Sequence, residues 1–344
     1  MGRKRKPELS FLNVLFCLTV IFIHIISYAV SAFPVNTVKY NLALIPWRLS
    51  AYVVQGFILL SGIKLFLTGK DTLSYGEYLK KRIKGVFLPY AVCFLVYYIL
   101  FIIFLGYPID IGQIFKRFIW GDLSCHLYFI PILLQFDLLF PVWKKITDKC
   151  SPKIIIPIAL LIMQIFEYYF PMMLKGIFPE TNFLYNDRVF TTYLGYWIIG
   201  CYIGKNYGSF YEFIKRRLPL ISGIYAVIVA VTVYFTYIGY NGLAYIPYLN
   251  CIHNLYCLTA IIFLFGVAIR IPEGFTERIS LIKQIDKSSF YIYLYHMLSL
   301  MIANELLAIT GIISQAPSFI IRFVFTYTVT IFLCVVYTSK KKVR

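Results

Sequence analysis

The stretch TVIFIHIIS, residues 19–27, places an imidazole, His24, in a run that is otherwise apolar. With an unperturbed pKa of about 6.5, an imidazole exchanges protons near neutrality, which suits a general base or a proton relay. It also serves as a packing element hydrogen-bonded across a helix interface, and both readings stand at this point. At roughly 100° per residue, His24 falls on one helical stripe with Asn13, Cys17, Ser27 and Ser31, opposite a surface of Leu, Ile, Val and Phe. Such a stripe must face other helices or a wet cavity, because lipid would leave its polar atoms without partners.

The other chemistry-bearing residues are scattered. His126 and His253 each begin an apolar segment, and His296 lies within a later one. Each reads first as a satisfied histidine, with His126 the strongest second candidate for catalysis. Lys80, Lys81, Arg82 and Lys84 cluster in YLKKRIKGVFLPY, residues 78–90. They read either as an interfacial anchor or as a site for the phosphates of an activated donor such as a coenzyme A thioester. Ser61 and Gly62 in GFILLSGIKLF allow close helix approach or line a substrate channel, together with Ser27 and Ser31. Glu305 and Arg322 flank a short turn at comparable depth, and this spacing predicts a structural ion pair. Asp137 has no partner visible in the sequence. The four His and eight Cys show no metal-ligand spacing, so no metal site is expected, and a Cys125–Cys251 bridge rests on position alone.

The elements that must hold these residues are transmembrane helices. Sixty per cent of the 344 residues are hydrophobic and only 14% are charged. Apolar stretches of about 20 residues, each long enough to span a hydrocarbon core as a helix, recur along the chain. Ten spans are predicted, at approximately 11–33, 45–67, 86–106, 126–142, 154–170, 188–204, 219–240, 251–270, 289–311 and 318–338. The fold class is therefore an all-α polytopic membrane protein. Residues 11–338 form one integral-membrane domain, between a basic N-terminus (1–10) and a basic tail (339–344). No period-two alternation points to a β-barrel.

Of the 33 Lys and Arg, 25 fall in segments on one side of the predicted spans. Lys39, Lys116, Arg117, Lys175 and Arg188 fall on the other, and Arg48, Lys64 and Arg322 lie within spans. The positive-inside rule then places both termini of a multi-pass membrane protein in the cytoplasm. The net charge of +18 is a topology signal that anionic lipid satisfies, and nucleic acid is not an expected partner. The first apolar run is too long for a signal peptide and reads as an uncleaved first helix.

Taken in order, the segments resemble the membrane-bound acyltransferase-3 family. The matching stretches are His24 in the first helix, FILLSG (57–62), KKRIKGVFLPY (80–90), HLYFIPILLQ (126–135) and YLYH (293–296). Within the family the chain is most similar to the branch of proteins for O-acylation or export of the poly-N-acetylglucosamine intercellular adhesin. The family pattern of Arg, ten residues, then His meets Asn13 here, and a neutral amide lacks the charge-assisted contacts of a guanidinium. The later arginine of the basic stretch is replaced by Val86.

The resemblance implies acyl transfer (acetyl or succinyl class) from cytoplasmic acyl-CoA to a hydroxyl of a cell-envelope polysaccharide or lipid-linked sugar. Acyl-CoA is then a donor substrate, with no bound cofactor expected. His24, with His126 as second candidate, would handle the acceptor proton, and Arg82, Lys81, Lys84 and Asn13 would hold the donor. The same stripe also suits a polysaccharide exporter without covalent chemistry, or a subunit of a polysaccharide synthase complex. His24 lies about 21 Å along the helix from a start near residue 10 at 1.5 Å per residue.

Overall fold

A computed structural model describes residues 6–69, 72–179, 185–272, 275–312 and 314–340. Arg3, Lys4, Arg5, Lys70, Lys341, Lys342 and Arg344, all used in the charge count, lie outside the described residues. In chain order the α-helices are Pro7–Ala32 (α1), Val38–Ser50 (α2), Val53–Leu67 (α3), Tyr75–Arg82 (α4), Leu88–Leu105 (α5), Ile111–Trp120 (α6), Phe129–Leu138 (α7) and Phe140–Lys149 (α8). They continue with Pro152–Ile177 (α9), Leu194–Lys205 (α10), Tyr207–Tyr240 (α11), Leu249–Ile269 (α12), Phe275–Arg278 (α13), Ser280–Thr310 (α14) and Gln315–Lys340 (α15). Among the described residues there is no strand.

Among the described residues, eight stretches are long and apolar enough to cross a membrane: α1, α2 with α3, α4 through α5, α9, α11, α12, α14 and α15. The protein is thus a multi-pass helical membrane protein. The two other predicted segments take a different form. Residues 126–142 become a turn, the ten-residue α7 and the start of α8, and residues 188–204 become 3₁₀ turns followed by the twelve-residue α10. Helix α6 occupies a stretch predicted as a loop. Its apolar residues Ile111, Phe115 and Ile119 lie on one face and are exposed. An amphipathic helix of this kind has its apolar residues on one face and so presents no long apolar run in the sequence.

The chain forms two compact units, residues 1–57 with 208–344, and residues 58–207. In the first, α1 is the central helix and packs against α2, α12, α14 and α15. It starts with Pro7 in the first turn, where a missing N–H costs nothing, and Pro34 follows its end. Leu12, Phe16, Cys17, Val20, Ile21 and Ile25 are buried around it.

In the second unit α10 is buried over nearly its whole length, because glycines let α3 approach its backbone. A Cβ on Gly62 would sit 2.7 Å from the Trp197 carbonyl oxygen, and one on Gly200 or Gly204 would run into the carbonyls of Leu59 and Ile63. This small-residue packing replaces the hydrophobic effect that lipid cannot supply between helices. Gly200→Val should therefore destabilise the purified protein by about 1–3 kcal/mol or more. Gly223→Ala, where an added Cβ meets open space, should be neutral or slightly stabilising. Thermal unfolding of both variants in detergent checks the contrast.

Candidate active site and its two polar clusters

The polar stripe of α1 meets α14 in the first unit. Asn13 Nδ2 lies 2.8 Å from Asp286 Oδ1 and 2.7 Å from Ser289 Oγ. Ser289 Oγ donates to the Asp286 carbonyl at 3.0 Å, and Cys17 Sγ is 3.6 Å from the Ser289 carbonyl. Farther along both helices, the rings of His24 and His296 stand 5.2 Å apart with their planes 35° inclined. Beyond them Asn304 Nδ2 donates to the Tyr28 hydroxyl at 2.7 Å. The contacts rise together along both chains, so α1 and α14 run parallel.

The His296 ring is held from behind. Its Nδ1 is 2.7 Å from the Tyr293 carbonyl oxygen and 3.3 Å from that of Ile292. A carbonyl only accepts, so Nδ1 is assigned the proton and Nε2 the lone pair. His296 is fully buried, whereas His24 is half-buried. The pair therefore combines one ring locked in a single tautomer with one that keeps part of its surface open. The sequence reading ranked His296 low, although YLYH was the signal that could have raised it. Asp286 was missed altogether, because it precedes the apolar run of its helix.

Ser27 Oγ donates to the His24 carbonyl at 2.8 Å, within its own helix, and Ser31 is exposed. The predicted Glu305–Arg322 pair does not form. Arg322 Nε donates to Asn304 Oδ1 at 2.7 Å, and its guanidinium lies 4.5 Å from the centre of the Tyr28 ring. One residue further on is about 100° further round the helix, and Glu305 is exposed.

In the second unit Asp137, which had no visible partner, has two. Arg82 Nε donates to Oδ2 at 2.6 Å and the Tyr78 hydroxyl to Oδ1 at 2.5 Å. The carboxylate is 2% exposed and Arg82 19%. Tyr78 in turn stacks on Phe140 with ring centres 4.2 Å apart. The sequence builds this cluster locally. Ser74 and Glu77 form a capping box that starts α4, and a five-residue π-turn, Ile83–Phe87, follows Arg82. Pro89 has no N–H to give the Gly85 carbonyl, and the wider turn relieves that loss. Arg82 thus turns inward, while Lys80, Lys81 and Lys84 are exposed.

His126 also belongs to the second unit, in the turn before α7, where it is 2% exposed. Ser124 Oγ is 3.1 Å from its Nδ1 and the Tyr97 ring 5.7 Å away. Gly121, with φ +60°, and the Arg188–Asp122 pair at 2.8 Å anchor this turn. Ser61 is half-buried on α3. No disulfide joins Cys125 and Cys251, so the bridge considered from position does not form.

A parallel helix pair with a histidine couple, in a membrane-spanning chain, defines the class of protein to compare. The acyltransferase domain profile of the acyltransferase-3 family matches residues 7–339, and the chain belongs to this family. It is 27% identical over 326 residues to a "Probable poly-beta-1,6-N-acetyl-D-glucosamine export protein" of Staphylococcus aureus (strain MSSA476), covering 90% of this chain and 86% of that one. A protein of the same description from Staphylococcus epidermidis is 24% identical over 329 residues, covering 90% and 84%. No solved structure matches.

Proposed function

We propose that this protein transfers an acyl group from cytoplasmic acyl-CoA to a hydroxyl of a cell-envelope polysaccharide or its lipid-linked precursor. The observation that carries the reading is the His24–His296 couple, one ring locked as a proton acceptor at Nε2 and the other partly open. In the reaction the acceptor oxygen attacks the thioester carbonyl as His24 removes its proton. The C–S bond then breaks and coenzyme A leaves as the thiol, taking that proton. His296 supports the charged imidazole of His24 through Nε2, and general-base assistance of this kind contributes about 10²–10⁴-fold.

Both termini lie in the cytoplasm in this reading, which puts α4 and its lysines at the inner face. Exposed Lys81 and Lys84 supply positive charge for donor phosphates. Arg82, neutralised by Asp137 through Nε, adds the donors of its terminal amino groups rather than net charge. Asn13 acts with Asp286 at the foot of α1. His126, Ser61, Ser27 and Ser31 serve the acceptor path. The names of the staphylococcal relatives support a poly-N-acetylglucosamine-type acceptor, and the partner proposed with it is a polysaccharide synthase complex.

Those names also favour a second reading, export of the polymer without covalent chemistry. Membranes carrying the protein, supplied with acyl-CoA and an acceptor glycan, separate the two. The transferase reading expects release of free thiol that requires both the protein and the glycan. Thiol release equal to that of membranes lacking the protein contradicts it.

A further inference from the structure

Arg48 stands in the middle of a membrane-spanning stretch and no part of the proposed transfer uses it. It sits on α2 in the first unit, where a guanidinium stays charged whatever its surroundings. Its Nε and Nη2 are buried and make no hydrogen bond. Among the described residues no carboxylate pairs with it, and its one described contact is the face of the Tyr240 ring, 5.7 Å away. A ring face attracts the cation but accepts none of its N–H groups in the plane. Water does not serve these two nitrogens either, since both are closed off from the surface.

The two orphaned nitrogens are the ones on the side edge of the guanidinium. Their N–H bonds run parallel, and this edge matches two oxygens of a phosphate or carboxylate. The Tyr256 hydroxyl of α12 donates to the Leu49 carbonyl beside Arg48. A second orphan lies about one helical turn from that bond: His253, three residues before Tyr256, is buried with no hydrogen-bond partner for its Nδ1. Its other nitrogen, Nε2, is 3.4 Å from Cys257 Sγ.

A guanidinium with two nitrogens closed off, near a buried imidazole nitrogen that also lacks a hydrogen bond, is costly inside a membrane when no carboxylate pairs with it. An anion against the side edge of Arg48 offsets that cost by supplying acceptors for Nε and Nη2. The surroundings hold the arrangement in place. The Tyr256–Leu49 bond ties α12 to α2. Asn241 Nδ2 donates to Asn41 Oδ1 at 2.8 Å, tying the far end of α11 to the start of α2.

We propose that Arg48 and His253 form an oxyanion site that binds a phosphate group. The chemistry is that of a lipid headgroup phosphate or of free phosphate, and the site exists whether or not the chain transfers acyl groups. Native mass spectrometry of the full chain in detergent tests it with three probes: phosphatidylglycerol, inorganic phosphate, and diacylglycerol as the phosphate-free analogue. The expected result is one saturable adduct with phosphatidylglycerol and none with diacylglycerol. Arg48→Gln should weaken that adduct roughly 10–100-fold, as loss of a charge-assisted bidentate contact does. An equally saturable adduct with inorganic phosphate supports the site and identifies free phosphate as its source.

Arg48→Lys keeps the charge and loses the fork. It should also bind more weakly, and it decides the matter if Arg48→Gln does not fold. The proposal is overturned if no phosphate probe gives a saturable adduct with the wild type. It is equally overturned if diacylglycerol binds as well, or if the folded Arg48 variants bind as tightly as wild type.

Discussion

His24→Gln should lower acyl transfer by roughly 10²–10⁴-fold while the protein remains folded and in the membrane. Glutamine approximates the size of the imidazole and keeps hydrogen-bonding capacity, but it does not take up a proton near neutrality. His24 is half-buried, so the substitution leaves the packed side of α1, from Leu12 to Ile25, untouched. If the couple acts as one unit, His24→Gln combined with His296→Gln should lose little more than His24→Gln alone. A double variant whose loss is the product of the two single losses would show the rings working independently. Initial rates of thiol release, with thermal unfolding as the control for folding, read both outcomes.

Asp137→Ala should be the most damaging change to the second unit. It strips the partner from a largely buried guanidinium and from the Tyr78 hydroxyl together. Breaking one side of a buried ion pair costs about 3–5 kcal/mol, a large part of a domain's stability. The companion variant separates charge from packing. Replacing Asp137 with Leu and Arg82 with Met removes both charges and should recover much of the lost stability. It should not recover affinity for acyl-CoA, since the terminal guanidinium donors are gone. Unfolding midpoints report the first effect and the KM for acyl-CoA the second. Full recovery of both would remove Arg82 from the donor site.

The residues that the sequence reading placed well were those whose partners lie along one helix face. Asn13, Cys17 and His24 repeat at helical spacing, and all three meet α14. Periodicity says which face is polar, but not which helix lies opposite. Hence Asp286 and the role of His296 became visible only in the structure. Arg82 and Asp137 are 55 positions apart, and no local rule links residues so distant.

Arg322 shows the sharpest limit. The depth was right and the partner helix was right, yet a one-residue step moved the contact from Glu305 to Asn304. The short helices α7 and α10 were read as full spans because their sequences are as apolar as a span. Their apolar residues instead fill the interior of the second unit. Amphipathic α6 escaped for the opposite reason, since its apolar residues lie on one face rather than in a run.

Under the proposed function, the histidine couple of α1 and α14 moves a proton for acyl transfer rather than lining a path for polymer. Mass spectrometry of envelope glycans tests it most directly, in cells carrying the wild type or His24→Gln at equal protein levels, with surface polymer measured alongside. His24→Gln should remove the acyl mass from the glycan while the polymer still reaches the surface. Glycan that keeps its full acyl mass while polymer accumulates inside the cell would contradict it.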